Sequence, residues 1–102
     1  MKEVLICGVE EGAWNVQLFG DIDAGNADEF FAEIVAAYDT QPANVTFDCA
    51  GLEFIDSTTL GTFVKINKKL KADGYVVRLV QTPAKIKKLF VICALDKLME
   101  IA

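Results

Sequence analysis

Apolar positions along the chain alternate between short runs and long one-sided stripes. Residues 2–7 and 14–19 are short apolar-rich segments separated by Gly8-Val9-Glu10-Glu11-Gly12, and they read as an antiparallel strand pair joined by that loop. The second segment alternates cleanly, with Trp14, Val16 and Leu18 on one face and Asn15 and Gln17 on the other. Gly20-Asp21-Ile22-Asp23 then leads into a helix that Asp23 or Asn26 caps, with Glu29 at capping-box spacing from Asn26. Ala27, Phe30, Phe31, Ile34, Val35 and Tyr38 fall on one side of that helix. Asp28, Glu29, Glu33 and Asp39 keep off most of the stripe, the pattern of a helix laid on a sheet.

Thr40-Gln41-Pro42-Ala43-Asn44 breaks the period, and 45–49 reads as a short buried strand followed by a loop over 51–56. A second helix is expected over 57–72, stopped by Asp73-Gly74. Residues 75–80 form the next strand, and Thr82-Pro83 opens a third helix with Thr82 as N-cap. The segment 95–102 fits either a last helix or a short edge strand. A hairpin followed by strands alternating with helices implies βαβ crossovers, hence one α/β domain over 1–102 with a mixed, partly parallel sheet.

Composition narrows the function. Of 102 residues, 53% are hydrophobic and 25% charged, enough for a packed core and unlike a disordered chain. The start, Met1-Lys2-Glu3 before a brief apolar run, does not read as a signal peptide, and no apolar run reaches the length of a membrane span. A cytoplasmic protein is expected. Cys7, Cys49 and Cys93 are dispersed among apolar neighbours, with neither a disulfide framework nor metal-ligand spacing, and are expected to be buried thiols. Histidine is absent, which removes His-dependent triads and imidazole metal sites. The net charge of -5 argues against general nucleic-acid binding. No cofactor is called for, and the oligomeric state is left open.

The candidate chemistry lies in Phe54-Ile55-Asp56-Ser57-Thr58-Thr59-Leu60-Gly61, where three hydroxyls and a carboxylate stand at a loop-to-helix junction. Asp and Ser there serve as ordinary helix N-caps. The same free N–H groups and helix dipole make the position hospitable to an anion, so the fold would tolerate a phosphate on Ser57. A docked partner would still feel its charge, to which Asp56 adds. On the helix that follows, Leu60, Phe63, Val64, Ile66 and Leu70 face the core around Asn67. Gly61, Thr62, Lys65, Lys68 and Lys69 occupy the opposite arc, a solvated face or a docking patch.

Over essentially its whole length the chain resembles the STAS domains of bacterial anti-sigma factor antagonists. Gly20-Asp21-Ile22-Asp23 is similar to that family's Gly-acidic-apolar-Asp signature. Ile55-Asp56-Ser57-Thr58 with Leu60-Gly61 is similar to its Asp-Ser-(Ser/Thr)-Gly-Leu-Gly phosphorylation motif. Pro83 opening a helix, with Leu89-Phe90 and Leu95, also fits.

The resemblance implies a STAS-like mixed sheet with amphipathic helices packed on it, and a regulatory binding protein rather than an enzyme. The partner it implies is an anti-sigma factor with serine kinase activity, bound by the unphosphorylated form so that a sigma factor is released. Ser57 would be the phosphoacceptor, with Thr58 a secondary one, and a phosphatase would reset the switch. Asp21, Asp23, Asp56, Thr58, Thr59, Gly61, Thr62 and Lys65 would join Ser57 on the partner face. Thr59 departs from the family's glycine, and a β-branched side chain there would fill space a partner's backbone uses. That departure keeps a second reading in play, a STAS scaffold or transport-associated domain without Ser57 phosphorylation. Two other classes meet obstacles in the sequence. A receiver phosphorylated on Asp48 needs an acidic cluster that Glu10 and Glu11 are poorly placed to supply. A Cys7 nucleophile would sit beside carboxylates rather than cations.

Overall fold

A computed structural model of the chain describes residues 2–102. It runs through β1 (Lys2–Glu10), β2 (Ala13–Ile22), α1 (Ala27–Thr40), β3 (Asn44–Ile55), α2 (Ser57–Ala72), β4 (Val77–Val80), α3 (Ala84–Ile92), a 3₁₀ turn (Leu95–Lys97) and β5 (Glu100–Ile101). The strands lie side by side in chain order; β1 is antiparallel to β2 and every later pair is parallel. Three parallel steps in one direction, each of the usual right hand, carry α1, α2 and α3 to the same face. Burial agrees. Val16, Leu18 and Ile22 of β2, Val45, Phe47 and Cys49 of β3 and Val77 and Leu79 of β4 all join the core under the helices.

Phe63 of α2 is the hub of that core. Its ring lies 5.5 Å from Phe30 of α1, 5.3 Å from Phe47 of β3 and 5.4 Å from Phe90 of α3, centroid to centroid. One side chain therefore ties all three helices to the sheet through tilted and edge-on contacts of the favoured kind. On α1, the expected stripe is buried at Ala27, Phe30, Ile34 and Tyr38 and half-buried at Phe31 and Val35.

Several sequence expectations are corrected. The loop expected over 8–12 is mostly strand: β1 continues to Glu10 past a register shift, and only Glu11 and Gly12 turn. The loop expected over 51–56 is the second half of β3. Gly51, Leu52, Phe54 and Ile55 pair with Phe19, Gly20, Asp21 and Ile22 across two register shifts. Gly51 is required there by close approach, since a Cβ would stand 2.2 Å from the Phe19 ring. β4 starts at Val77 rather than Tyr75, and the C-terminal segment resolves as a 3₁₀ turn plus a two-residue edge strand.

Helix starts differ too. Asn26 occupies the N-cap position of α1 without a side-chain cap, and Glu29 pairs with Lys2 at 2.9 Å instead of closing a capping box. Thr82 does not cap α3; Pro83 holds the N-cap position and the Thr82 hydroxyl is buried. Of the cysteines only Cys49 is buried; Cys7 and Cys93 are exposed. Burial pushes the Cys49 thiol up to about 12, which leaves it an unreactive core residue.

Replacing Phe63 with Ala is expected to cost about 3–5 kcal/mol in urea or guanidinium unfolding. A loss under about 1 kcal/mol would show that the aromatic hub is not what holds the helices to the sheet.

Candidate functional site

β2 and β3 run parallel and end together at Ile22 and Ile55. Their exits therefore lie side by side: the loop from Asp23 to Asn26 entering α1, and Asp56 entering α2. Asp56 joins them. Its Oδ1 accepts from the Thr59 backbone N–H at 3.0 Å, capping α2, and its Oδ2 accepts from the Ala24 N–H at 2.9 Å. The Thr59 hydroxyl contacts the Ile22 carbonyl and also lies 3.0 Å from Asp56 Oδ1. It faces the Asp56 N–H at 3.5 Å as well, so Asp56 and Thr59 form a reciprocal capping box.

The neighbouring loop is equally organised. Asp23 Oδ1 accepts from the Gly25 N–H at 2.9 Å, and its carbonyl accepts from the Asn26 and Ala27 N–H groups at 3.0 and 2.8 Å. Asn26 accepts at Oδ1 from the Asp23 N–H and donates through Nδ2 to the Asp21 carbonyl, both at 3.0 Å. The side chain expected to cap α1 instead pins the loop before it. Backbone N–H groups, Thr59 first and then Ala24, hold the Asp56 carboxyl below the usual carboxylate range.

The expected site residues divide sharply. Ser57, Thr58 and Gly61 are exposed on the first turns of α2, and the Ser57 hydroxyl has no hydrogen-bond partner among the described residues. Asp21, Asp23 and Asp56 are half-buried beside them.

Thr59 and Thr62, both expected on the partner face, are corrected. Thr59 is 0% exposed and Thr62 is 2% exposed, with the Thr62 hydroxyl donating to the Thr58 carbonyl. Thr59 in place of the family's glycine thus fills interior space rather than the space of a docking partner. The lysine row is not one free patch either. The Lys65 ammonium sits 4.7 Å from the Phe31 ring centre, and Lys69 pairs with Asp39 at 3.2 Å, so both lean on α1.

A groove of about 390 Å³ beside the site had not been picked out from the sequence as a surface. Phe54, Leu89 and Ile92 line it together with Lys85, Lys88 and Glu53, and the three apolar residues are 49%, 37% and 68% exposed. One signal was available: α3 carries Ile86, Leu89, Phe90, Val91 and Ile92, more apolar side chains than one buried stripe needs. Asp48, the candidate of the receiver reading, lies within β3 on the face away from the helices. It accepts there from the Ala50 N–H at 3.0 Å and from Gln81 at 3.4 Å.

The architecture is that of a small α/β fold with a hydroxyl-bearing helix start beside an acidic loop. Residues 8–102 match the family model described as STAS domain, and the chain belongs to that family. No curated protein matches its sequence.

Solved structures share the fold at low identity. An anti-sigma factor antagonist from Mycobacterium paratuberculosis is 22% identical with a TM-score of 0.83, covering 99% of this chain and 85% of its own. The Bacillus cell fate determinant SpoIIAA in its phosphorylated form is 21% identical with a TM-score of 0.71, covering 100% and 91%. The murine anion transporter Slc26a9 is 15% identical with a TM-score of 0.75; the match covers 88% of this chain but 16% of the transporter. No helix among the described residues is long and apolar enough to cross a membrane.

Two results are expected from the cap. Thr59→Gly, which restores the family's residue, should destabilise by about 1–3 kcal/mol, because it removes a buried hydroxyl and adds backbone freedom in a helix. A neutral Thr59→Gly in thermal or urea unfolding would show that the box contributes nothing. Because the folded Asp56 carboxyl titrates below its unfolded value, its stabilisation is complete above about pH 4 and fades as pH falls through the folded value. The stability gap between the protein and its Asp56→Asn variant should therefore narrow from pH 7 to pH 3. A constant gap would refute the assignment.

Proposed function

We propose that this chain is a phosphorylation-switched binding protein of the anti-sigma-antagonist kind. In its unphosphorylated form it binds an anti-sigma factor with serine kinase activity, and a sigma factor is thereby released. Phosphorylation of Ser57 ends that binding and a phosphatase restores it. The protein is the kinase's substrate and performs no catalysis itself. The observation that carries this reading is the state of Ser57: exposed, without a side-chain hydrogen bond among the described residues, and set at the first position of α2 directly after a cap that does not use it.

Physical chemistry favours a charge switch at this point. The helix dipole and free N–H groups make a phosphate compatible with the fold. Asp21, Asp23 and Asp56 surround it with negative charge, so a phosphate of roughly -2 deepens an already acidic spot rather than finding a cation. A partner in desolvated contact there would lose about 3 kcal/mol, on the order of a hundredfold in affinity.

Gly61 supports a docking role for the same turns. A Cβ at Gly61 would meet nothing within 4 Å, so the fold itself does not require glycine there. Glycine inside a helix costs about 0.5–1 kcal/mol relative to alanine. Close approach by a partner's backbone explains its presence. The Phe54–Leu89–Ile92 groove extends the footprint with apolar area, and its lysines favour an acidic contact from the partner. Thr58 stands exposed as a second acceptor.

Ser57→Ala should change stability by no more than about 0.5 kcal/mol, as expected of an exposed residue outside the cap, and should keep partner binding. Ser57→Asp should fold normally by circular dichroism and capture at least tenfold less anti-sigma factor from native-host lysate. Equal capture by both variants would sink the switch and leave a constitutive STAS scaffold. Gly61→Ala is expected to gain about 0.5–1 kcal/mol in unfolding, while Gly61→Arg weakens partner capture. Unchanged capture by Gly61→Arg would remove this turn from the interface.

A further inference from the structure

At the far end of α2 from Ser57, a cavity of about 430 Å³ opens between the C-terminal half of the helix, β4 and the turn leading into β5. Asn67 lies at its inner wall. This residue is only 6% exposed and sits in the apolar stripe of α2 between Phe63, Ile66 and Leu70, yet its amide has no hydrogen-bond partner among the described residues. The buried atom left without a partner is Thr82 Oγ1 and not the Asn67 amide, which therefore reaches the cavity and is available there to solvent or a ligand. Lys71 follows four residues later on the same helix face and lines the same cavity, so its ammonium and the Asn67 amide serve one space.

The remaining walls define what would fit. Arg78 and Glu100 pair with each other and cancel. That leaves Lys71 and Lys97 against Asp96, none of them in an ion pair among the described residues, for a net positive lining. Val76 and Leu98 are 55% and 50% exposed at the cavity, beside the half-buried Tyr75 ring. Apolar walls with a few convergent polar groups are the usual make-up of a small-molecule site.

We infer that this cavity binds a small monocarboxylate with a short apolar body. The carboxylate accepts from the Asn67 amide and the Lys71 ammonium, and the body lies against Tyr75, Val76 and Leu98. This inference stands apart from the Ser57 reading, and the Ser57→Ala variant should bind equally well.

The test is a titration of the isotope-labelled protein by two-dimensional NMR with 3-phenylpropionate, using 3-phenylpropan-1-ol and inorganic phosphate as controls. Saturable shifts confined to Asn67, Lys71, 75–77 and 97–99 are expected, with a dissociation constant of about a millimolar, as suits so small a probe. The alcohol and Lys71→Gln should each lose at least tenfold in affinity, and Asn67→Leu should do the same. Lys71 is exposed, so its variant reports on binding even if Asn67→Leu folds poorly. Absence of shifts at 10-fold that concentration, shifts centred on the Phe54 groove, or equal binding of the alcohol or by Lys71→Gln would each overturn the proposal. An equal response to inorganic phosphate would overturn the carboxylate assignment.

Discussion

A parallel pair of strands must release its chain at the same edge, and in this protein the two exits after β2 and β3 are held together by one carboxylate. Asp56 caps α2 through Thr59 and reaches the Ala24 N–H, 32 residues away in sequence. Thr59 completes the junction from inside by contacting the Ile22 carbonyl at the end of β2. With this joint in place the acidic loop and the start of α2 form one surface. Without it, the orphan N–H groups of the helix start and of the loop would each need separate partners. Position 57 inherits its exposure from this division of labour: Asp56 and Thr59 do the structural work, and the Ser57 hydroxyl has no hydrogen-bond partner among the described residues.

That separation suits a switch that operates by charge rather than by refolding. The cap is made by Asp56 and Thr59, and the helix is anchored by Phe63 in the aromatic hub. Adding a phosphate to Ser57 touches neither. On the proposed function, the effect would fall on a partner docked against the first turns of α2 and the groove between Phe54 and α3. The fold is shared with an anti-sigma factor antagonist and with part of an anion transporter. What distinguishes one use of such a fold from another is the chemistry of its surface.

Much of the fold was legible because its signals are periodic. The stripe Ala27–Phe30–Ile34–Tyr38, the alternation Trp14–Val16–Leu18 and the Asp73-Gly74 stop each carry their own period or turn chemistry, and α2 spans 57–72 as expected. Strand lengths were not legible. Whether Gly51–Ile55 is loop or strand depends on β2 continuing alongside it to Ile22, a pairing partner some thirty residues distant that no local window contains. The caps expected for α1 and α3 did not form, whereas Asp56 caps α2: Asn26 and Thr82 have the right side chains, but Asn26 is drawn into a loop contact with Asp21 and Asp23.

At the site, the motif singled out the segment that opens α2 but not the direction of each side chain. Thr59 and Thr62 read as surface hydroxyls and are interior ones, because α2 presents its hydroxyl-rich arc partly to β2 and to its own preceding turn. Lys65 and Lys69 read as a free row and are spent on α1. Asn67, assigned no role from the sequence, acquires interest only from a cavity that depends on β4 and the 3₁₀ turn being where they are.

The central claim is that Ser57 is a reversible phosphoacceptor. Phosphopeptide mass spectrometry on the protein purified from its native host, across growth and stress conditions, tests it most directly. The account predicts phosphate on Ser57 whose occupancy rises and falls with condition. Full coverage of the Phe54–Lys65 region with no phosphate on Ser57 under any condition would contradict it.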